Sequence, residues 1–244
     1  MLMKTEIQEF LLGYSGYNGG DIGSLDRPSI WCCGIEWGGE NSTAISVQKY
    51  FESNEWKTIN GFEENDEKEK NITAPYDRVL CKLLCAINSG KVEDYAEFAE
   101  NQKVWIKGAK TGYFKMNLYP LWFINTDPNN WDPKLDELLT FADKGEYMRW
   151  CRRYRLPAIN QLMQKHSPKL ILCFGIKYED DFNIAFSDGY KRFQCEDVGG
   201  LTVRWKRNEN GTVVAVLPFP NKPTGLKSHT SIQAIGEYLR ELIK

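Results

Sequence analysis

The sequence predicts an α/β fold: a three-layer α/β/α sandwich with a central four-stranded, mainly parallel sheet. Four short segments are continuously apolar, which is typical of parallel strands covered on both faces. Helical periodicity lies between these segments, and such strand–helix alternation indicates helices on both sides of the sheet. The 244 residues suit a single domain spanning 1–244, and a hydrophobic content of 42% is enough for a sizeable core.

Each central strand is predicted from an apolar run without alternation. The runs cover residues 30–36, 112–118, 169–174 and 212–217. Residues 192–206 predict a β-hairpin insertion, because the Gly199-Gly200 pair suits a two-residue hairpin turn. Residues 62–71, FEENDEKEKN, are strongly charged without periodicity and predict an acidic, solvated loop.

Three helices with an apolar face are predicted around these strands. The first covers residues 77–88. The second carries an apolar stripe that begins at Leu156, and Pro157 suits its first turn. The last is predicted to begin at a capping box formed by Thr230 and Gln233.

Charge is unevenly distributed along the chain, although the formal net charge is only −2. Residues 1–150 hold 16 Lys and Arg against 24 Asp and Glu, whereas residues 151–244 hold 15 against 9. This polarity allows a basic face for a phosphate backbone, with scattered solvated charge as the alternative. No apolar run approaches the roughly 18 residues of a membrane span, and the amino terminus lacks a signal-peptide pattern.

The seven cysteines predict a reducing environment. Their number is odd, their spacing is irregular and several lie inside apolar runs, which indicates buried thiols rather than a disulfide framework. We therefore expect a cytoplasmic monomer. Cys81 and Cys85 lie four residues apart on a predicted helix and are interpreted as small core residues, so we expect no metal and no cofactor.

The residues that follow the predicted strands are the candidate site, because ligands of open parallel sheets bind outside the carboxyl ends of the strands. The first strand leads into Glu36, Trp37 and Gly38. The second ends at Asn117, and the fourth leads into a Pro- and Gly-rich segment from 218 to 229. An acid, an amide and several aromatic rings would thus share one edge of the sheet.

These motifs resemble, in the same order, those of the uracil-DNA glycosylase superfamily. GIEWG at 34–38 resembles the first motif, a glycine-flanked turn that handles the attacking water. Pro75-Tyr76 resembles the Pro-Phe pair whose ring stacks on the flipped base, and FKMN at 114–117 resembles the strand whose Asn reads the base edge. PKLILCFG at 168–175 resembles the third strand, and LPFPN at 217–221 stands where the family shows His-Pro-Ser. The resemblance spans roughly residues 28–244.

The resemblance implies a role for each matching side chain. Cleavage of a glycosidic bond builds positive charge on the sugar, so the Glu36 carboxylate would stabilise that charge and position water. The Asn117 amide would read the edge of a flipped pyrimidine, and Tyr76 would stack on its face. The alternatives are a loop cap or an ion pair with an Arg for Glu36, turn chemistry before Pro120 for Asn117, and ordinary packing for Tyr76.

Trp37 and Gly38, which follow Glu36, differ from the residues of the family's uracil-specific branches. Gly38 stands where those branches place a Tyr that crowds C5 of the base, and Trp37 replaces a Pro. The resemblance then implies room for a bulky C5 substituent, with Trp37 either forming a new wall or packing. One member of the superfamily removes glucosylated hydroxymethylcytosine from phage DNA, and we expect a similar base here.

A further departure is Phe219, which stands where the family has its His. Stabilisation of the departing base would then come from a backbone N–H or from the Asn221 amide. His229 is a candidate catalytic partner, with phosphate binding or helix capping as alternatives. His166 is expected to be structural.

The segment that follows Asn221 resembles the family's wedge loop. Leu226 would fill the space left by the flipped base. The side chains of Lys222, Lys227 and Ser228 would contact phosphates of double- or single-stranded DNA. The sequence therefore predicts a monofunctional DNA glycosylase that leaves an abasic site. Repair of uracil or hypoxanthine, and a non-catalytic DNA-binding module on the same fold, are the alternatives.

Overall fold

The computed structural model describes residues 3–59, 61–62, 74–189, 192–220 and 225–244, which contain one mixed seven-stranded sheet with helices around it. The strands are β1 (Gly19–Gly20), β2 (Ile30–Gly34), β3 (Tyr113–Asn117), β4 (Leu170–Phe174), β5 (Gln194–Val198), β6 (Leu201–Arg207) and β7 (Val213–Leu217). Their order across the sheet is β1-β3-β2-β4-β7-β6-β5.

The predicted α/β class is confirmed, but the predicted count of four strands is wrong. The four apolar runs form β2, β3, β4 and β7, which are adjacent and parallel to one another. Antiparallel pairing adds β1 beside β3 at one edge, and β6 and β5 beside β7 at the other. β1 is only two glycines and β5 is largely exposed, so neither carries the apolar run that identifies a buried strand.

The central strands are buried along their whole length because each face of the sheet is covered. Alternate side chains of one strand enter different apolar clusters, as expected from the two-residue period. The first apolar cluster contains Trp31, Cys33, Phe114, Met116, Ile171, Cys173, Val214 and Val216 of the sheet. The second contains Ile30, Cys32, Tyr113, Leu170, Leu172, Val213, Ala215 and Leu217.

Helices on both faces complete these clusters. The α-helices are α1 (Thr5–Leu12), α2 (Ala44–Ser53), α3 (Pro75–Ile87), α4 (Tyr95–Asn101), α5 (Leu135–Leu139), α6 (Lys144–Trp150), α7 (Leu156–His166), α8 (Glu179–Phe186) and α9 (His229–Leu242). Short 3₁₀ turns cover Glu55–Lys57, Val92–Asp94, Pro128–Asn130 and Ile176–Tyr178. A π-helical turn, Cys151–Arg155, joins α6 directly to α7. The second cluster takes α3, α4 and α9, and the other helices pack on the first.

The last helix begins two residues earlier than the predicted capping box. Ser228 is the N-cap, and its hydroxyl accepts a hydrogen bond from the backbone N–H of Ser231 at 3.0 Å. Gln233 serves a tertiary contact instead, because its side chain accepts from the backbone N–H of Val92 and donates to the carbonyl of Gly90. The capping box predicted at Thr230 is therefore wrong, and Gln233 contacts the segment that follows α3.

The hairpin predicted at 192–206 is present as β5 and β6. Gly199 and Gly200 form its turn with φ values of 60° and 74°, the left-handed conformation that a two-residue hairpin turn requires. Of the predicted acidic loop, residues 63–71 lie outside the described part of the chain. Of the seven cysteines, all except Cys195 are buried. In the described ranges, every helix is too short or too polar to cross a lipid bilayer.

Helices α3 and α9 approach each other closely at Gly236. A Cβ placed on Gly236 would lie 2.4 Å from the Cβ of Ala86, 3.1 Å from its carbonyl carbon and 3.1 Å from the backbone nitrogen of Ile87. Two of these three atoms belong to the backbone, so relief requires the helices to separate. Glycine is therefore needed here for contact rather than for its backbone freedom.

Gly236→Ala is expected to lower the free energy of unfolding by up to about 2 kcal/mol. Alanine favours the helical state by about 1 kcal/mol, but overpacking of this contact costs about 1–3 kcal/mol. Urea unfolding followed by circular dichroism measures the change. Gly189→Ala is the matched control, because a Cβ on Gly189 meets no atom within 4 Å. Unchanged or raised stability of Gly236→Ala would contradict the close contact.

Candidate functional site

The carboxyl ends of β2 and β3 meet where Gly34 pairs with Asn117. Asn117 is 7% exposed, and its Nδ2 donates to the carbonyl of Gly16 and to Oδ1 of Asn18, both at 3.2 Å. Its backbone N–H also donates to the Gly16 carbonyl at 2.8 Å. Both amide hydrogens are thus used within the protein, and among the described residues Oδ1 accepts no hydrogen bond.

Gly34 makes room for two polar groups at this strand end. A Cβ on Gly34 would lie 2.3 Å from Oδ1 of Asn117 and 3.2 Å from the hydroxyl of Tyr76. Any larger residue would displace the amide from its position. The first glycine of the GIEWG motif therefore serves close approach of side chains, since its backbone is in the ordinary strand conformation.

Tyr76 lies in the first turn of α3 and points its hydroxyl towards Gly34. Its ring packs edge-on against Phe174 at 5.8 Å and faces Phe219 at 5.6 Å with an interplanar angle of 30°. In the described part of the chain the buried hydroxyl has no hydrogen-bond partner. Burial raises the pKa of Tyr76 well above its ordinary value, so the hydroxyl remains protonated and able to donate.

A buried ion pair that the sequence did not reveal supports this ring. Lys115, two residues before Asn117 on the same face of β3, pairs with Asp77 of α3. The ammonium of Lys115 lies 5.1–5.6 Å from the ring centroids of Phe62, Tyr76 and Trp105. The lysine inside the apolar run of β3 could have predicted an ion pair at this place, because a buried cation requires a partner.

Glu36 follows β2 and is held by Lys144 of α6. Lys144 Nζ lies 3.1 Å from Glu36 Oε1, and the two side chains are 1% and 7% exposed. The ammonium also donates to the carbonyl of Asn125 at 3.3 Å and lies 3.8 Å from the ring centroid of Phe123. Glu36 is therefore in an ion pair, as one alternative from the sequence expected, but its partner is a lysine 108 residues away in the sequence and not an arginine.

Burial controls the protonation of this pair. It raises the pKa of Glu36 to about 7, although the nearby Lys144 ammonium favours the charged carboxylate and limits the shift. Burial likewise lowers the pKa of Lys144, and the Glu36 carboxylate opposes that change. Glu36 consequently exchanges its proton near neutral pH, which is the range in which a carboxyl group can act as acid or base.

The two parts of the site lie on different sides of the strand ends. Phe123, which contacts Lys144, belongs to the first apolar cluster, whereas Tyr76 and Phe219 pack against the second. The structure therefore brings Asn117, Tyr76 and Phe219 together. Glu36 stands beyond Gly34, in a separate charged pocket.

The neighbours of Glu36 differ from each other in their surroundings. Trp37 stacks on Trp122 with ring centroids 5.7 Å apart and packs edge-to-face with Tyr50 at 5.8 Å. Trp37 therefore packs within the protein, which was one of its two alternatives from the sequence. Gly38 is open, because a Cβ there would meet no atom within 4 Å. Gly38 is exposed at the surface, so the space beside it is open to solvent.

Leu226 does not have the placement expected of a wedge. Its side chain is fully buried in the second apolar cluster, whereas a wedge must project from the surface into DNA. Burial of this apolar side chain anchors the segment before α9. Ser228 is exposed and caps α9, and Lys227 is also exposed. Asn221 and Lys222 lie outside the described residues.

His229 is placed between α3 and α9 rather than beside Glu36 or Asn117. Its Nδ1 lies 3.0 Å from Glu93 Oε1, and its Nε2 lies 2.7 Å from Lys82 Nζ. Both ring nitrogens are therefore engaged at the surface, where the imidazole is about half exposed. The other histidine, His166, contacts the carbonyl of Gly23 through Nδ1.

Arg155 fixes the segment that orients Asn117. Its fully buried guanidinium donates to the carbonyl of Leu118 at 2.7 Å and to that of Gly13 at 3.0 Å. Two more bonds reach the carbonyls of Leu11 and Ser15. The segment from the end of α1 to Gly16 is thereby tied to the residue next to Asn117.

No protein family model matches this sequence, and no curated protein matches it. The likeness to the uracil-DNA glycosylase superfamily thus depends on the ordered motifs and on where they lie in the sheet. In the described ranges, no three His, Cys, Asp or Glu side chains are grouped to hold a metal ion.

The pKa of Glu36 makes stability pH-dependent. Because that pKa is raised from 4.5 to about 7 on folding, the contribution of Glu36 is complete below pH 4.5 and is lost as the pH rises through 7. Between these limits the free energy of unfolding of the wild type should fall by up to about 3 kcal/mol more than that of Glu36→Gln.

Urea titrations of both proteins at the two pH limits measure this difference. Glu40→Gln, at an exposed carboxylate four residues further on, is the control and should follow the wild type. Parallel pH dependences of wild type and Glu36→Gln would show that the folded protein does not perturb Glu36.

Proposed function

We propose that this chain is a monofunctional DNA glycosylase with the three-layer, uracil-DNA glycosylase-like form of its α/β fold. It would flip a modified pyrimidine, hydrolyse the N-glycosidic bond and leave an abasic site. The observation that supports the proposal most is the approach of Asn117 and Tyr76 at Gly34, with Phe219 against the Tyr76 ring. Residues from three distant sequence motifs meet at the carboxyl ends of parallel strands, in the order of the family's motifs.

Recognition of the base is assigned to this convergence. Aromatic rings and an amide are the groups that bind flipped bases, through stacking and hydrogen bonds to the base edge. Tyr76 and Phe219 face each other in the free protein. A base would stack on one of these rings with its polar edge towards Asn117.

Glu36 is assigned to the chemistry at the sugar. As a carboxylate it would stabilise the cationic character of the sugar and orient the attacking water. Lys144 would act as a positioning residue, because its ammonium favours the ionised form and fixes Oε1. Since ionisation occurs near pH 7, the rate of base release should rise with pH through that value.

The open space at Gly38 supports a bulky C5 substituent, such as a glucosylated hydroxymethyl group on cytosine. The DNA would contact the exposed Lys227 and Ser228, together with Lys222. Six of the seven cysteines are buried, which supports a reducing compartment, and we infer that the protein acts in the cytoplasm.

A non-catalytic DNA-binding module on the same fold is the second candidate. The observation that favours it is the existing ion pair of Glu36, which leaves this carboxylate satisfied without a substrate. The absence of a histidine at Phe219 agrees with this alternative. Uracil or hypoxanthine repair remains the alternative within the glycosylase class.

The proposal predicts abasic-site formation on a duplex with a bulky C5-modified cytosine. Duplexes that carry uracil, hypoxanthine or glucosylated hydroxymethylcytosine are incubated with the protein and treated with alkali, and strand breaks are quantified. Glu36→Gln should lower the single-turnover rate by about 10²–10⁴-fold, the usual contribution of a positioned acid or base. Glu40→Gln should retain the wild-type rate.

Each result separates the candidates. Cleavage of uracil alone would refute the bulky-base assignment. Full activity of Glu36→Gln would remove Glu36 from the mechanism. No cleavage on any duplex, together with tight duplex binding in a mobility-shift assay, would replace the enzyme with the DNA-binding module.

A further inference from the structure

The Tyr76 hydroxyl is a buried hydrogen-bond donor without an acceptor among the described residues. Proteins rarely bury such a group, because it loses its bond to water and gains nothing in return. A phenylalanine would fill the same space without this loss. The hydroxyl therefore requires a reason other than packing.

The surroundings of Tyr76 hold its hydroxyl in one place. Phe174 packs against the ring edge, and the next residue, Asp77, is fixed by its ion pair with Lys115. Gly34 lacks the side chain that would crowd the hydroxyl. The orphan donor is thus fixed at the end of β2, next to Asn117.

The Asn117 amide has one orientation at this point. Nδ2 donates hydrogen bonds to Gly16 and Asn18, so only Oδ1 remains available to a ligand. Both Oδ1 and the Tyr76 hydroxyl lie beside Gly34. Asn117 can therefore accept a hydrogen bond from a ligand but cannot donate one without losing a bond to Gly16 or Asn18. A donor for the ligand has to come from another residue.

We propose that the Tyr76 hydroxyl and Asn117 Oδ1 form a donor–acceptor pair that binds the edge of the excised base. Asn117 would accept from an N–H of the base, and Tyr76 would donate to the adjacent ring nitrogen or carbonyl oxygen. Cytosines offer N4–H beside N3, and uracil offers N3–H beside a carbonyl. This inference depends on the proposed glycosylase function.

The pair also supplies a hydrogen-bond donor for the departing base, in place of the histidine that Phe219 replaces. Negative charge develops on the base as its bond to the sugar breaks, and a fixed donor stabilises that charge. The Tyr76 hydroxyl is already fixed and stays protonated because burial raises its pKa. Tyr76 would therefore act in catalysis through its hydroxyl, and stacking on the base would be left to Phe219.

Tyr76→Phe tests the pair, because it removes only the hydroxyl. The variant should melt at or above the wild-type temperature, since an unsatisfied buried group disappears. Its single-turnover rate on the duplex that the wild type cleaves should fall by about 10²–10³-fold, the usual loss on removal of one such donor. The combination of unchanged or raised stability with lost activity is specific to a functional orphan donor.

Tyr119→Phe is the matched control. Its hydroxyl is also buried but donates to Asp181 Oδ2 at 2.7 Å, so its removal should lower the melting temperature. A rate of Tyr76→Phe within twofold of the wild type would overturn the pair. A Tyr76→Phe melting temperature as low as that of Tyr119→Phe would also overturn it, because the hydroxyl would then stabilise the fold.

Calorimetric binding of free cytosine and free uracil separates this inference from the proposed function. If the wild type binds a free base and Tyr76→Phe does not, the pair is supported even when no duplex is cleaved. If the wild type cleaves DNA and Tyr76→Phe cleaves it equally well, the pair is wrong and the glycosylase function stands. If the wild type neither binds a base nor cleaves a duplex, both are wrong.

Discussion

The buried guanidinium of Arg155 is the interaction on which the strand-end site depends. Among the described residues it has no carboxylate hydrogen-bond partner, and it donates instead to backbone carbonyls from the end of α1, the following segment and the residue after Asn117. A cation at the carboxyl end of a helix satisfies carbonyls that the helix leaves unpaired. Arginine suits this task because its donors are arranged in a rigid fork and it keeps its charge when buried. The Gly16 carbonyl that orients the Asn117 amide stands in the segment that Arg155 fixes.

Buried charge recurs around the same strand ends. Lys115 with Asp77 supports the Tyr76 side, and Lys144 with Glu36 supports the other. In a third group, the Asp181 carboxylate accepts hydrogen bonds from the Tyr119 hydroxyl and from Nε and Nη2 of Arg152. Such pairs contribute little net stability when compared with apolar packing, but removal of one partner is costly. Their concentration at one edge of the sheet agrees with a site whose geometry matters more than its stability.

Local pattern was sufficient to predict the central strands and the meeting of Asn117 with the first motif at the carboxyl ends of two of them. Continuous apolar runs identified β2, β3, β4 and β7, and the strand-end rule placed Asn117 correctly beside the first motif. The edge strands were missed because β1 is two glycines and β5 is polar and exposed, so their pairing depends on neighbours rather than on their own composition.

The supporting cations could not be predicted from sequence, because each finds its partner across the fold. Lys144 lies 108 residues from Glu36, and Arg155 lies 37 residues from the nearest carbonyl that it contacts. Leu226 shows the converse limit. Its position in the motif suggested an exposed wedge, yet its side chain is part of the second apolar cluster. That cluster forms only when the helices pack together, so the burial of Leu226 cannot be read from the local sequence.

The π-helical turn between α6 and α7 gives one structural support to both halves of the site. Lys144 begins α6 and Arg155 ends the π-helical turn, so both cations stand on one uninterrupted helical segment. Loss of one residue from that turn would rotate one cation by about 100° relative to the other, because an α-helix advances by that angle per residue. Glu36 and Asn117 therefore cannot be repositioned independently. Variation at this edge of the sheet would have to proceed through the loops and not through the helical segment that carries both cations.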